Sequence, residues 1–137
     1  MPAKGSAEWK GDLKGGAGTF TAGDSISGDF SFKSRFEDGP GANPEQLIAA
    51  AHAACFAMAL SHGLATGGHT PETLETSATV TFLPGEGITK IALTVEAAVP
   101  GIEAAAFDEA AQAAKENCPV SKALASVPEL TLEARLR

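Results

Sequence analysis

Residues 43–60 read NPEQLIAAAHAACFAMAL, and this stretch decides the fold because it predicts one long apolar helix. Asn43 can cap the helix, since its side chain can accept a hydrogen bond from a free N–H of the first turn. Pro44 suits the first helical position, and Gln46 completes a spacing similar to a capping box. Glu45 lies in the first turn, where the helix dipole favours a negative charge. A helix therefore begins at this point.

The predicted helix continues to about Ala65, where Gly67-Gly68 supplies a stop. Its small side chains on every side indicate a helix that protein encloses, with other elements packed closely against its backbone. The least polar run, Leu47 to Leu60, is too short to span a bilayer and contains His52. The helix is therefore expected to lie inside a protein rather than in a membrane.

The rest of the chain alternates between period-two and helical patterns. Strands are predicted over about residues 7–13, 18–22, 29–36, 74–82, 91–99 and 130–137, and two further helices over 103–117 and 118–125. The order of strands, helix, strands, helices and strand favours an α+β fold, with antiparallel sheet and helices packed on one side. The length of 137 residues fits a single domain over residues 1–137.

Composition excludes several classes of function. The net charge is −7 and the 10 Lys and Arg residues are scattered, which argues against nucleic acid as a partner. The first residues contain no apolar signal segment, so a soluble cytoplasmic protein is expected. Two cysteines without a CxxC pattern and three histidines make a zinc site a poor expectation, and no cofactor is predicted.

The two cysteines differ in their local sequence. Cys118 precedes Pro119 at a predicted helix start, where free N–H groups stabilise a thiolate, although it can equally be a weak cap between two helices. Cys55 stands among apolar residues, where it either fills space in the core or reacts with help from a cation, because burial raises its pKa. His52, one turn earlier, is a candidate base or a core histidine. Arg35 is a candidate cation or a solvated strand residue.

Several long motifs resemble one protein family. They are SRFEDGPGANPE, GANPEQLIAAAHAACFAMALS and CPVSKAL, with WKGDLKGGAGT and ITKIALTVEAAVPGI in support. Together they resemble the osmotically inducible protein C (OsmC) family and the related organic hydroperoxide resistance (Ohr) proteins. The likeness covers nearly the whole chain, and only the loop around Pro84 to Gly87 looks short. It implies an OsmC-like fold: antiparallel sheets around a buried central helix, in an intertwined homodimer.

The resemblance also implies a function and four site residues. Members reduce organic hydroperoxides, and hydrogen peroxide less readily, in defence against oxidative stress. Cys55 corresponds to the peroxidatic thiol and Cys118 to the resolving thiol. Arg35 corresponds to the cation that activates Cys55, and Glu45 to the carboxylate that orients Arg35. An external dithiol, of which a lipoyl group is one candidate, would restore the thiols, and neither metal nor cofactor takes part.

Helix geometry adds an expectation about assembly. Glu45 precedes Cys55 by ten residues, so on one continuous helix they lie about 15 Å apart along the axis. Two routes remain: Arg35 reaches between Glu45 and Cys55 from its own loop or strand, or the Glu45 end of a second chain's helix lies beside Cys55. The alanine-rich helix favours the second route, so we predict a homodimer in which Arg35 and Glu45 come from the chain opposite Cys55. Two other classes of protein use the same sequence features: a redox sensor that reacts at Cys55 without turnover, and a protein that binds apolar ligands and only packs its cysteines. An alkyl tail would lie on a helix wall that includes Phe56 and Met58.

Overall fold

A computed structural model describes all residues, 1–137, and its chain divides into two compact units, Met1–Leu47 and Ile48–Arg137. The prediction of a single domain stays a prediction. The elements in chain order are β1 Gly5–Lys10, β2 Ala17–Ala22, β3 Ile26–Ser31, α1 Phe32–Phe36, α2 Pro44–Thr66, β4 Thr73–Leu83, β5 Gly87–Ala98, α3 Ala104–Asn117, α4 Pro119–Ala123 and β6 Glu129–Leu136.

The first unit contains an antiparallel sheet in the order β1-β2-β3. Its register pairs Trp9 with Gly18 and Gly18 with Phe30, and the two aromatic rings lie 5.3 Å apart between centroids. A Cβ atom at Gly18 would come within 2.6 Å of the Phe30 ring, so only glycine fits beneath these rings. β1 and β2 form an antiparallel hairpin where strands were predicted over residues 7–13 and 18–22.

The third predicted strand, over 29–36, is wrong in its second half. β3 ends at Ser31, and α1 begins at Phe32. The Ser31 hydroxyl accepts from the Ser34 N–H and the Ser34 hydroxyl accepts from the Ser31 N–H, which makes a capping box. The alternating phenylalanines imitate a strand, but these local bonds turn the chain into a helix. Arg35 is therefore on a short helix rather than on a strand.

The second unit contains a sheet in the order β4-β5-β6. β4 and β5 form an antiparallel hairpin where strands were predicted over residues 74–82 and 91–99. β6 pairs with β5 in parallel, which corrects the expectation of a purely antiparallel sheet. The reason is the connection: α3 and α4 carry the chain back across the sheet, and a crossover of this length is what a parallel pair requires.

The core of the second unit lies between its sheet and its helices. α3 was predicted over residues 103–117, and its Phe107, Ala111 and Ala114 are buried. Burial of a large apolar side chain contributes about 1.5–3 kcal/mol relative to exposure. The core cluster consists of Phe56, Leu60, Leu64, Leu93, Val95, Ala97, Val99, Phe107, Ala111 and Ala114.

Helix α2 begins where the sequence predicts, and the Asn43 side chain accepts a 2.9 Å hydrogen bond from the Gln46 N–H. It is longer than the apolar run considered above, and by length and composition it resembles a membrane span as well as the core helix of a soluble protein. Its own chain buries only one stripe, and Met58 is 75% exposed. The expectation of a helix enclosed on every side is therefore not met within one chain.

Candidate active site

The two cysteines meet between α2 and α4. Their Sγ atoms are hydrogen-bonded 2.7 Å apart, and both thiols are free. Cys118 is the joint between two helices: its N–H donates to the Ala114 carbonyl at 2.9 Å, and its carbonyl accepts from the Lys122 N–H at 3.1 Å. Pro119 occupies the first position of α4, where its missing N–H costs nothing. Cys118 is fully buried and Cys55 is half-buried.

The two thiols differ in acidity. Burial raises the pKa of Cys118, but hydrogen bonds outweigh it and leave this pKa below its usual value. These bonds come from Cys55, from the backbone and hydroxyl of Ser121, and from the backbone of Val120. Burial raises the pKa of Cys55, and its hydrogen bond with Cys118 raises it further. The sequence predicts the same order, and within one chain the more accessible thiol is the weaker acid.

His52 has a partner other than Cys55. Its Nε2 lies 2.7 Å from the Ser121 hydroxyl, and both side chains are buried. Burial lowers the pKa of His52, so the ring is neutral near pH 7. Of the two readings of His52 in the sequence, the buried histidine with one satisfied hydrogen bond is the one that the contact supports. Sequence reasoning missed Ser121, whose only signal is its position three residues after Cys118.

A hydroxyl of the sheet holds the backbone of α2 near the thiols. Thr76 of β4 donates its hydroxyl hydrogen to the Ala53 carbonyl at 3.0 Å. A carbonyl oxygen has two lone pairs, so the Ala53 carbonyl can accept this bond in addition to a hydrogen bond within the helix. It lies two residues before Cys55 and ties this part of α2 to the sheet.

Arg35 and Glu45 form an ion pair within the first unit. Arg35 donates through Nε at 3.1 Å and through Nη2 at 2.8 Å, both to Oε1 of Glu45. Glu45 is buried at the start of α2, and its other oxygen, Oε2, has no partner in the chain. The guanidinium also lies 5.5 Å from the centre of the Phe36 ring. The structure thus brings together the two residues that the resemblance pairs.

An apolar cavity of about 250 Å³ adjoins this ion pair within the first unit. Arg35 contributes the one charged side chain of its lining, and most of the others are aromatic or aliphatic. Sequence reasoning assigned the apolar wall to α2 instead, and there Phe56 is fully buried and cannot line a site. The cavity is lined by Trp9, Leu13, Phe30, Ser31, Phe32, Arg35, Phe36 and Pro44.

The four predicted site residues thus form two pairs, Cys55 with Cys118 and Arg35 with Glu45. A half-buried thiol beside a buried, more acidic one can be oxidised and then closed into a disulfide. A fixed guanidinium can stabilise a thiolate or a developing alkoxide. No group of three or more His, Cys, Asp and Glu side chains is close enough to hold a metal ion.

Comparison with known proteins gives a consistent set of relatives. The family described as OsmC-like protein matches residues 37–133. Peroxiredoxin OsmC of Escherichia coli (strain K12) is 48% identical over 139 aligned positions, which cover 98% of this chain and 96% of the relative. Organic hydroperoxide resistance protein OhrB of Bacillus subtilis (strain 168) is 33% identical, covering 88% and 91%.

Solved structures share the fold. The crystal structure of OhrB from Bacillus subtilis has a TM-score of 0.67 at 26% identity and covers 100% of this chain and 98% of that one. An OsmC-like protein from Mycoplasma pneumoniae has a TM-score of 0.72 at 16% identity, covering 99% and 97%. The predicted α+β fold, of the OsmC-like type, is confirmed.

Proposed function

The chain belongs to the family of OsmC-like proteins, and on that premise we propose that it is a thiol peroxidase that reduces hydroperoxides through Cys55 and Cys118. Relatives with substantial identity are named as a peroxiredoxin and as organic hydroperoxide resistance proteins. The observation that carries the proposal is the contact of two free thiols at 2.7 Å across 63 residues of sequence. Once a peroxide has oxidised one thiol, only a modest approach of the two sulfur atoms is needed to form a disulfide, whose bond length is about 2.0 Å.

Access assigns the roles of the two thiols. Cys55 is half-buried and Cys118 is fully buried, so a peroxide reaches Cys55 first. The Cys55 thiolate attacks one peroxide oxygen, the O–O bond breaks, and the alkoxide leaves to be protonated to an alcohol. Cys55 is then a sulfenic acid. Cys118 attacks that sulfur, the S–S bond forms, and the S–O bond breaks to release hydroxide, which becomes water.

Acidity alone would assign the opposite roles to the two thiols. The proposed roles therefore require a cation near Cys55. The pKa of Cys55 is raised within the chain, whereas that of Cys118 is lowered. A guanidinium beside Cys55 would reverse the order, because an opposite charge within about 4–6 Å favours the thiolate. Arg35 fits this role, since Glu45 holds it with two hydrogen bonds to one oxygen.

We propose that Arg35 and Glu45 reach Cys55 from a second copy of the chain. α2 is one uninterrupted helix from Pro44 to Thr66, which is the condition for the expected separation of Glu45 and Cys55 along one axis. The apolar and alanine-rich surface of α2 that its own chain leaves exposed suits a close contact between two such helices. A homodimer therefore supplies the enclosure that the sequence of α2 predicts.

The substrate class follows from the cavity beside Arg35. Its aromatic lining suits the alkyl chain of an organic hydroperoxide better than hydrogen peroxide. A dithiol, such as a lipoyl group, is proposed as the reductant, because two exchange steps are needed to open the disulfide. A cytoplasmic location fits this chemistry, since that compartment keeps dithiols reduced.

Steady-state peroxide consumption tests this function. An alkyl hydroperoxide and hydrogen peroxide are compared at equal concentration, each with and without a lipoyl dithiol or a monothiol. We expect sustained consumption with the dithiol and faster turnover of the alkyl hydroperoxide. A single stoichiometric oxidation of Cys55 under every reductant would identify a sensor instead, and no reaction of either thiol would favour an apolar-ligand binding protein.

A further inference from the structure

The hydrogen bond between His52 and Ser121 takes no part in the mechanism above. Its partners are 69 residues apart in sequence, fully or nearly fully buried, and 2.7 Å from each other. His52 lies one helical turn before Cys55 on α2, and Ser121 lies one turn after Cys118 on α4. The bond therefore joins α2, which carries Cys55, to α4, which begins directly after Cys118.

Ser121 interacts with Cys118 as well as with His52. Although burial of Cys118 opposes its ionisation, the Ser121 hydroxyl is one of the hydrogen-bond donors that lower the pKa of this thiol. A serine hydroxyl has one hydrogen to donate and two lone pairs to accept with. If that hydrogen goes to the Cys118 sulfur, the hydroxyl has to accept from His52.

The ring of His52 is suited to donate. Its Nδ1 is buried and has no partner, whereas Nε2 faces Ser121. A buried N–H without an acceptor is rarer in proteins than an unsatisfied acceptor, so the hydrogen belongs on Nε2. Burial also lowers the pKa of His52 and keeps the ring neutral. His52 is then a hydrogen-bond donor through Nε2, and its lowered pKa disfavours a second proton on Nδ1.

We propose that His52 and Ser121 are positioning residues for the resolving step: Nε2–H of His52 donates to the Ser121 hydroxyl, which donates to the Cys118 sulfur and stabilises its thiolate for the attack on Cys55. The inference deepens the proposed function and rests on it for the role of Cys118. In the resolving step this thiolate attacks the Cys55 sulfenic acid, the S–S bond forms, and the hydroxide that leaves takes a proton from solvent. His52 is not a base in this scheme, because its Nε2 already carries the hydrogen that it donates to Ser121.

The first test measures the Cys118 thiolate directly. Its ultraviolet absorbance is recorded in a Cys55→Ser chain, at the pH where that chain shows half of its full thiolate signal. We expect Ser121→Ala to lower the ratio of thiolate to thiol about tenfold or more, since a hydrogen bond to a charged group is lost. Ser121→Thr keeps the hydroxyl and should keep most of the signal. The matched control is Ser126→Ala, an exposed serine just beyond α4.

The second test separates a donor from a base at His52. Gln at this position can donate a hydrogen bond but cannot take up a proton, whereas Leu can do neither. We expect His52→Gln to keep most of the thiolate signal and His52→Leu to lose it, with His62→Gln on the exposed side of α2 as the control. A Gln variant as poor as the Leu variant, with both folded by circular dichroism, would overturn the assignment of His52 as the donor.

A single-turnover experiment links the thiolate to the reaction and separates this inference from the proposed function. One equivalent of alkyl hydroperoxide is added, and sulfenic acid and disulfide are followed in turn. Ser121→Ala should form sulfenic acid at the parental rate and disulfide about tenfold more slowly. Equal disulfide rates in Ser121→Ala and the parent would overturn the inference alone. A parent chain that never forms sulfenic acid would overturn the proposed function, while the thiolate measurement would still decide the roles of His52 and Ser121.

Discussion

The thiol pair and the ion pair lie in different parts of the chain, and each has what the other lacks. Within Ile48–Arg137, Cys55 and Cys118 can form a disulfide, but Cys55 has a raised pKa. Within Met1–Leu47, Arg35 is held by a buried carboxylate beside an apolar cavity, but there is no thiol. In the proposed function, the thiols of one region carry out resolution, and Arg35 of the other region activates the peroxidatic thiol.

Removal of the attacking sulfur should cause the largest loss of peroxide reduction. Cys55→Ser is close in size to the parent residue and lacks the nucleophile, so peroxide reduction should fall to background while the fold is kept. Steady-state consumption of an alkyl hydroperoxide measures the loss, and circular dichroism checks the fold. Parental activity in this variant would move the attack to Cys118 and reverse the comparison.

Removal of the resolving sulfur should stop recycling after one turnover. Cys118→Ser keeps Cys55 and every group that activates it, so the first oxidation should proceed at the parental rate. Cys55 should then accumulate as sulfenic acid or as higher oxides. Intact mass measured after one equivalent of peroxide detects the added oxygen. Normal cycling with a dithiol would show that Cys118 does not resolve the sulfenic acid.

Removal of the cation should slow the first step without abolishing it. Arg35→Met takes away the hydrogen-bonding charge that we propose lies near the thiolate and the leaving alkoxide, so oxidation of Cys55 should slow about 100-fold or more. The pKa of Cys55 should rise, which leaves less thiolate at a fixed pH. Arg35→Lys should be impaired less, because it keeps the charge but loses the planar fork.

The exposed Arg135→Met on β6 is the matched control for charge and shape. It should oxidise at the parental rate. If Arg35→Met matches this control in both rate and Cys55 acidity, Arg35 has no role in activation and the two regions act independently.

Local chemistry made part of this structure predictable. The start of α2 was predicted because Asn43 and Pro44 have preferences that do not depend on the rest of the fold. The greater acidity of Cys118 was also predicted, since its helix-start position is a local feature. The roles of Arg35 and Glu45 came from resemblance, because nothing in their spacing identifies an ion pair.

Contacts between segments far apart in the chain could not be predicted from the sequence. The parallel pairing of β6 depends on the path of α3 and α4, and the contact of His52 with Ser121 spans 69 residues. The helix α1 was missed for a different reason. The alternation of Phe30, Phe32 and Phe36 predicts a strand, whereas the spacing of Ser31 and Ser34 in the sequence permits the capping box that starts this helix.

Hybrid dimers test most directly the central claim, that a second chain supplies the ion pair to the thiols. A chain with Arg35→Met and Glu45→Gln is mixed with a Cys55→Ser chain, and subunit exchange is confirmed by mass. Neither variant alone should exceed its residual rate. The mixture should recover about a quarter of the activity of the unsubstituted protein, since half of the dimers are hybrids and each hybrid has one complete site of two. No recovery despite confirmed exchange would contradict the claim, because it would require Arg35, Glu45 and Cys55 to act within one chain.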